Sequence, residues 1–400
     1  MTGRLGAACP VLAAALLVLA PCAARATTGS AARVGHAEGA SVRVEPLAAS
    51  FVTATEGFVL GVAPCATGTC TTLVATTDGG RRWDRVPAPP APLALPPTGE
   101  AAVAVDAVDR ILFTGASGYA YGPGLWATAA TPVGWEALHP GGPVLDLAVD
   151  AGDVWAVVAS CWPQDAGCVA PAVRLERAPV GTSSWRVVPG VGGFYGDRLL
   201  VRGATGWVAT WPRRLPAPVT IWRTTDSGAS WSRIPDPCYR PAWAIDLAEL
   251  ASPGGSTLFE LCAGNPGTGQ ETKRVLESTD GGSSVRSVGA APDGGLVEEL
   301  SAPSASLLVL AASSAAGLLA RSADGGRHWT VTTLGDGGVG LSGLSFVSPS
   351  VGFVLDGRPS DGSVPDRLLV TRDGGLTWSV VAIATQPATS AGGRVGPGVP

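Results

Sequence analysis

Lysine is almost absent from this chain, which has a single one, Lys273, against 26 arginines. Histidine occurs only at His36, His139 and His328, which form neither a catalytic triad nor a metal-ligand cluster in sequence. Apolar residues at a helical spacing are missing after residue 30, so we expect no long amphipathic helix. The formal net charge of −5 argues against a nucleic-acid partner or an anionic membrane bound through bulk charge.

The N-terminus has the pattern of a secretion signal. Arg4 precedes the apolar run VLAAALLVLA at 11–20, which is too short to span a bilayer, and Ala24-Arg25-Ala26 fits a cleavage site. We therefore expect 1–26 to be a signal peptide cleaved near Ala26, leaving a secreted or extracytoplasmic protein without a transmembrane segment. Lipoprotein anchoring through Cys22 is the alternative, although Pro21 directly before it makes a poor lipobox.

The cysteines support this location. Eight are present, and removal of Cys9 and Cys22 with the signal leaves six, an even number in an oxidising compartment. Cys-x4-Cys with no histidine nearby is not a zinc pattern, so we expect no metal and no other cofactor. The predicted disulfides join neighbours in sequence: Cys65–Cys70, Cys161–Cys168 and Cys238–Cys262.

One short motif is repeated along the chain. TTDGGRRW at 76–83 returns as TTDSGASW at 224–231, STDGGSSV at 278–285, SADGGRHW at 322–329 and TRDGGLTW at 371–378. It closes a longer unit, because 50–83 and 345–378 align without a gap. ATPVGW and VGTSSW keep only the Trp. The seven units are spaced by roughly 49 residues and end at Trp83, Trp135, Trp185, Trp231, Val285, Trp329 and Trp378.

Each unit has the pattern of four short strands. Runs rich in Val, Leu and aromatics alternate with Gly, Pro and Asp turns, and the first unit predicts strands near 46–53, 57–63, 71–76 and 83–87. This predicts an all-β fold, a seven-bladed β-propeller of four-stranded antiparallel blades. We expect it to occupy 44–384, between a flexible linker at 27–43 and a disordered tail at 385–400, with 40–48 closing the ring beside 378–384 in a monomer.

The repeated aspartate is expected to be structural. A short carboxylate in a tight turn can accept hydrogen bonds from the backbone, a glycine two positions later permits a positive φ, and the Trp can bury its ring against the next blade. One carboxylate per turn makes calcium binding a weak alternative. The residues assigned to this role are Asp78, Trp83, Asp226, Trp231, Asp280, Asp324, Trp329, Asp373 and Trp378.

The motif resembles the Asp-box, or BNR, repeat, over about 340 of the 400 residues. Its unit length and style are most similar to photosystem II assembly/stability factor-like and sialidase-like propellers of secreted bacterial proteins. The resemblance implies the propeller fold. It does not imply a function, because propellers with this motif do unrelated things.

A sialidase-like glycoside hydrolase is one open function. The sialidase pattern needs an arginine triad, a Tyr–Glu pair and an Arg-Ile-Pro motif before the first box. Arg233-Ile234-Pro235 occurs here after a box, at the position of an ordinary fourth strand, and none of the four tyrosines adjoins a glutamate. We assign no catalytic residue, and the sequence favours a non-enzyme.

A secreted, non-catalytic binding or scaffold propeller is the favoured function, with an unknown protein or glycan as its ligand. Strand order places the second-to-third and fourth-to-first loops on the face opposite the boxes. These loops carry every mature cysteine and the aromatic and arginine side chains that binding sites favour. Two alternatives to ligand binding stay open. The disulfides and aromatic residues could simply stabilise the loops, or the protein could have a structural role in the cell wall. The predicted binding residues are Tyr119, Tyr121, Trp162, Trp211, Arg213, Arg214, Tyr239 and Arg240.

Overall fold

The computed structural model describes nine segments of the chain, 41–66, 68–95, 103–214, 217–239, 245–267, 270–313, 317–334, 340–357 and 367–385. Their regular secondary structure is β-strand throughout. No helix in these segments is long and apolar enough to span a membrane. The signal peptide, Cys22, most of the 27–43 linker and all but the first residue of the 385–400 tail lie outside the described residues.

The strands form antiparallel sheets, which we number in chain order. The first contains β2 (Glu45–Phe51), β3 (Gly57–Cys65), β4 (Gly68–Thr76) and β5 (Asp84–Val86). The second contains β6 (Arg110–Phe113), β7 (Ser117–Tyr121), β8 (Leu125–Ala129) and β9 (Glu136–Leu138). The third has seven strands, β10 (Val144–Asp150), β11 (Asp153–Ala159), β12 (Ala172–Pro179), β13 (Arg186–Arg202), β14 (Thr205–Trp211), β15 (Thr220–Thr224) and β16 (Ser232–Ile234).

Three further four-stranded sheets follow. The fourth contains β17 (Ile245–Gly254), β18 (Thr257–Gly267), β19 (Gln270–Ser278) and β20 (Arg286–Ala291). The fifth contains β21 (Leu296–Ser301), β22 (Leu308–Ser313), β23 (Leu318–Ser322) and β24 (Thr330–Thr333). The sixth contains β25 (Leu341–Phe346), β26 (Gly352–Asp356), β27 (Arg367–Thr371) and β28 (Ser379–Val381). The four strands predicted for the first unit coincide with the first sheet within a few residues.

The two ends of the described chain meet in a small separate sheet. Strand β1 (Val42–Arg43) pairs with β29 (Ala384–Thr385), and the Val44 amide donates to the Ile383 carbonyl at 2.9 Å. The N-terminal segment was expected to join the last blade beside 378–384. Its partners Ile383 and Ala384 do lie in that range, but Ala384 belongs to the small sheet and neither residue belongs to the sixth sheet.

Clusters of buried apolar side chains lie between neighbouring sheets, and one lies inside the third sheet. Between the sixth and first sheets, the rings of Phe51 and Phe353 stack with their centroids 3.4 Å apart. Trp83 packs in the same cluster with 2% of its surface exposed. Each sheet therefore buries both of its faces, and the contacts continue from the last sheet to the first.

The five Asp-containing turns share one hydrogen-bond pattern. In the last of them, Asp373 Oδ1 accepts from the Thr377 amide at 2.9 Å and from Thr371 Oγ1 at 2.9 Å. The Thr371 hydroxyl oxygen also accepts from the Gly375 amide at 2.8 Å, and Gly375 has φ +86°. These bonds hold the pKa of Asp373 below its usual value, chiefly through the Thr377 hydroxyl and amide. The same carboxylate role is filled by Asp78, Asp226, Asp280 and Asp324.

Arginines link one Asp-containing turn to the next. Arg372 Nη2 donates to the Gly79 carbonyl at 2.8 Å, across the gap between the sixth and first sheets. Arg321 Nε donates to the Gly374 carbonyl at 2.7 Å, and Arg223 Nη1 donates to the Asp280 carbonyl at 3.1 Å. Hydrogen bonds from a charged donor are stronger than neutral ones. These contacts therefore stabilise the packing of neighbouring sheets at the end that carries the Asp-containing turns.

The only lysine of the chain is part of the core. Lys273 is 1% exposed, and its ammonium donates to the carbonyls of Glu271, Asp293, Gly294 and Gly295 at 2.6–3.3 Å. Burial lowers its pKa, while the charges of Glu271 and Asp293 act in the opposite direction. The side chain fixes the connection between the fourth and fifth sheets.

We expect the Asp-containing turns to matter for stability. Asp373→Ala removes the acceptor for two hydroxyl groups and one amide, so the melting temperature should fall by several degrees. Asp84→Ala, at an exposed position on β5, is the matched control and should melt close to wild type. Equal melting of the two variants in a thermal scan would contradict a structural role for the turn carboxylate.

Buried carboxyl groups lie between the third and fourth sheets, next to the Cys238–Cys262 disulfide. Glu260 is 1% exposed, and among the described residues neither of its carboxyl oxygens has a hydrogen-bond partner. Burial, and then the charge of Asp236, raises the pKa of Glu260 to about 8. Burial and a hydrogen bond to Asp236 raise the pKa of Asp246 to about 7.

These raised pKa values give a pH dependence of stability with a defined sign. From about pH 4.5 to 8 the folded state holds a proton on Glu260 that the unfolded chain has released, so stability from this group falls as pH rises. Glu260→Gln should therefore raise the melting temperature at pH 8 and change it little at pH 4.5. Glu136→Gln, at an exposed carboxylate on β9, is the control. A Glu260→Gln variant with an unchanged melting profile would disprove this assignment.

Candidate functional site

A central channel of about 580 Å³ runs between the sheets and is lined by the first strand of each repeat unit. Most of the lining residues come from β2, β6, β10, β13, β17, β21 and β25; the others are Ala94, Leu95, Asp109, Tyr121, Trp162, Gln164 and Leu355. Six of these strands, β2, β10, β13, β17, β21 and β25, change register against the strand that follows, and each change alters which side chains face the channel.

Charged side chains in the channel bind to neighbouring inner strands, by which we mean the strands that line the channel. Arg198 forms an ion pair with Glu249 at 2.5 Å, and Asp146 Oδ2 accepts from the Leu199 amide at 2.9 Å. Glu299 accepts from the Gly343 amide at 2.7 Å and from the Leu344 amide. These contacts join β10 to β13, β13 to β17 and β21 to β25 across three unit boundaries.

Arg110 and its neighbours occupy the second sheet's part of this wall. The Arg110 guanidinium donates to the Leu145 carbonyl and to the Tyr121 hydroxyl. Burial raises the pKa of Tyr121, so the phenol stays protonated. Burial also raises the pKa of Asp109 to about 6, partly opposed by the positive charge of Arg110.

A second pocket, of about 660 Å³, shares Arg110 and Arg198 with the channel wall, and we call it the mouth pocket. Its other walls are the loop 160–171, the middle of β13, and the end of β14 with the loop that follows. Its described lining includes three arginines and no acidic side chain. The lining residues are Arg110, Leu145, Trp162, Pro163, Gln164, Tyr195, Gly196, Arg198, Trp211, Pro212 and Arg213.

The loop 160–171 is held by several restraints. A disulfide joins Cys161 to Cys168, whose Cα atoms are 5.7 Å apart. The Cys168 amide donates to the Asp165 carbonyl at 2.9 Å, and the Ser160 amide donates to the Ala172 carbonyl at 2.8 Å. Trp162 packs into the core under the loop and is 5% exposed. These restraints hold the first wall of the mouth pocket, the loop 160–171, in place.

The exposed positive charge of the mouth pocket lies on the wall formed by the end of β14 and the loop that follows. Trp211 ends β14 and is half-buried, whereas Arg213 is exposed. The Arg213 guanidinium carbon lies 5.6 Å from the centroid of the Phe194 ring, a distance suited to a cation–π contact. Within the described residues Arg213 forms no ion pair with a carboxylate, so its charge is open to a ligand.

The mouth pocket lies at the end of the sheets away from the Asp-containing turns. The loop 160–171 and the connection between β14 and β15 join a second to a third strand, whereas each Asp-containing turn joins a third to a fourth. Since consecutive strands are antiparallel, the two kinds of loop lie at opposite ends of the sheet. This is the end that the sequence assigns to binding.

The eight sequence-predicted binding residues are divided by the structure. Trp162, Trp211 and Arg213 meet in the mouth pocket, and Tyr121 lines the channel. Tyr119 is 1% exposed in the core between the second and third sheets, which takes it out of the candidate site. Arg214 is exposed and Tyr239 half-buried, but neither lines the pocket; Arg240 lies outside the described residues.

Sequence reasoning missed Arg110, Arg198 and Tyr195 as site residues. Both arginines lie on strands that line the channel, and on β13 a register change obscures which face Arg198 occupies. Tyr195 is flanked by Gly193 and Gly196, and that pattern of glycines around an aromatic was the available signal. The structure also joins Cys65 to Cys70 and Cys238 to Cys262, as the spacing predicts.

The structure also locates the Arg-Ile-Pro motif that the sequence contains. Arg233 and Ile234 lie on β16, with Arg233 4.5 Å from the Trp222 ring centroid, so this Arg-Ile-Pro motif belongs to an ordinary fourth strand. No group of three or more His, Cys, Asp or Glu side chains in the described segments is arranged to hold a metal ion.

Comparison with known proteins identifies the fold. No family model and no curated protein matches the chain. Among solved structures, YCF48 bound to D1 peptide is 16% identical, with a TM-score of 0.50 over 82% of this chain and 94% of that one. YCF48 from Cyanidioschyzon merolae is 13% identical, with a TM-score of 0.52 over 84% and 100%. The chain is a β-propeller, similar to this photosystem II assembly factor.

An enzyme shares the same fold. Oligogalacturonate lyase in complex with manganese is 10% identical, with a TM-score of 0.51 over 87% of this chain and 90% of that one. At these identities the similarity concerns the fold of the propeller alone, and function must be argued from the site.

Proposed function

We propose that the protein is a secreted, non-catalytic propeller that binds a protein ligand by taking an extended peptide segment into the mouth pocket. The observation that carries this proposal is the lining of the pocket, which combines Trp162, Trp211 and Tyr195 with three arginines. Aromatic and arginine side chains contribute most of the binding energy at protein interfaces. The exposed guanidinium of Arg213, which forms no ion pair within the described residues, favours a segment with an acidic group.

The architecture behind this proposal is a seven-bladed ring over 44–384. Strand β13 pairs with β12 through its first half and with β14 through its second, so the third sheet is two blades joined end to end. The seven apolar clusters, six between sheets and one inside the third sheet, support the same count. In this proposal the five Asp-containing turns are Asp-boxes that stabilise the ring.

Secretion is supported by the three disulfides, because such bonds persist in oxidising compartments. The Cys161–Cys168 bond also has a direct role at the site. It orders the loop that carries Trp162 before any ligand arrives, which reduces the entropy lost on binding.

A peptide fits the mouth pocket better than a glycan does. A glycan presents many hydroxyl groups, and each one buried without a partner costs free energy. In the described lining the three arginines and two tryptophans only donate hydrogen bonds, so the side-chain acceptors for such hydroxyl groups are the Gln164 amide and the Tyr195 hydroxyl. A propeller of similar fold, YCF48, has been solved with a D1 peptide bound.

We expect substitutions in the mouth pocket to weaken peptide binding without unfolding the protein. A random dodecapeptide library displayed on phage should yield acidic peptides on the wild-type protein. Arg213→Ala should bind the most enriched peptide about tenfold more weakly, the lower range for loss of a charge-assisted contact. Arg214→Ala, at an exposed arginine that does not line the pocket, is the matched control and should bind it like wild type.

Three results would contradict the proposal. The first is a library that enriches no peptide above a background set by the Trp211→Ala, Arg213→Ala double variant. The second is equal binding by Arg213→Ala and wild type in isothermal titration calorimetry. The third is binding to a glycan array that the double variant loses while peptides are ignored.

A further inference from the structure

Tyr195 has a backbone conformation that tyrosine rarely adopts. Its φ is +42°, in the left-handed region, and 43% of its surface is exposed. A bulky residue in this region is strained, and such strain concentrates at functional sites. Glycine would adopt the same φ freely, and glycines already stand nearby at Gly193 and Gly196. The fold alone therefore does not account for a tyrosine at this position.

The surrounding sheet fixes this conformation. Phe194 pairs with Ala172 on one side and with Trp211 on the other. The next pair along β13 is Arg198 with Ala209, so residues 195–197 bulge out opposite the single residue Thr210. The Tyr195 amide donates to the Pro171 carbonyl at 3.0 Å, which ties the bulge to the disulfide-bonded loop.

The bulge places Tyr195 between the other two walls of the mouth pocket. Trp162 lines one side and Trp211 the other, with Arg213 at the exposed edge. Trp162 is almost fully buried and Trp211 half-buried, whereas Tyr195 is exposed. Of these three rings, the tyrosine offers a ligand the largest exposed fraction.

We propose that Tyr195 determines specificity by stacking its ring against an aromatic side chain of the bound peptide. This inference rests on the proposed function and adds the chemistry of one ligand position. Aromatic rings pair in offset or edge-to-face arrangements that contribute beyond the apolar area buried. The strained backbone holds the ring in the pocket before binding, so little further ordering is required of it.

Selection from the random dodecapeptide library on three proteins tests this proposal. On the wild type we expect enrichment of Phe, Tyr or Trp at a fixed spacing from an acidic residue. Tyr195→Asn removes the ring but keeps a residue that tolerates a positive φ, and the aromatic preference should disappear from its selected peptides. Tyr195→Phe keeps the ring and should retain the preference.

Affinity and stability give independent readouts. The wild-type-selected peptide, synthesised and titrated, should bind Tyr195→Asn about tenfold more weakly, near the upper range for one aromatic pair. The melting temperature of Tyr195→Asn should equal or exceed that of wild type, because strain is released. Ala151→Gly, which relieves a φ of +50° away from the pocket, should keep wild-type affinity.

The possible outcomes separate this inference from the proposed function. If Tyr195→Asn keeps the aromatic preference while Arg213→Ala weakens binding, the role of Tyr195 is wrong and the peptide site stands. If Tyr195→Asn melts well below wild type, the ring is a packing residue and the inference is overturned. If no peptide is enriched on the wild type, the proposed function itself fails.

Discussion

The seam between the sixth and first sheets is the constraint on which the rest of the structure depends. Sheets that pack face to face in sequence need the last to meet the first, or two large apolar faces stay in water. Here the stacked rings of Phe51 and Phe353, the buried Trp83 and the bond from Arg372 to the Gly79 carbonyl close that gap. Strands β1 and β29 then join the two ends of the chain.

Contact between the last and first sheets fixes the spacing of the strands that line the channel and the mouth pocket. With neighbouring inner strands fixed, carboxylates such as Asp146 and Glu299 can reach backbone amides of the next unit. The same fixed spacing allows one continuous strand, β13, to serve two halves of a sheet. The bulge at Tyr195 lies at their junction, beside a loop tied by Cys161–Cys168. The paired strands and the disulfide-bonded loop thus hold Tyr195, whose backbone is strained and whose side chain is partly exposed, at the mouth pocket.

The sequence predicts the repeating parts of this molecule well. Asp373 accepts a backbone hydrogen bond in its turn and Gly375 has a positive φ, as the residue types predict. The disulfides join the cysteines nearest in sequence. The site is less predictable because it depends on departures from regular pairing. A register change on an inner strand moves side chains to another face, which is why Arg198 was missed. Tyr119 was placed at the surface because strand ends and loops look alike in sequence.

Hydrogen exchange on the full-length protein, with and without the dodecapeptide selected on it, tests the central claim most directly. The claim is that a closed propeller binds its ligand at the mouth pocket, away from the Asp-containing turns. The account predicts that the peptide slows amide exchange in 160–171, 194–198 and 211–214, and leaves the turns at 76–83 and 371–378 unchanged. Slower exchange confined to those turns would contradict it.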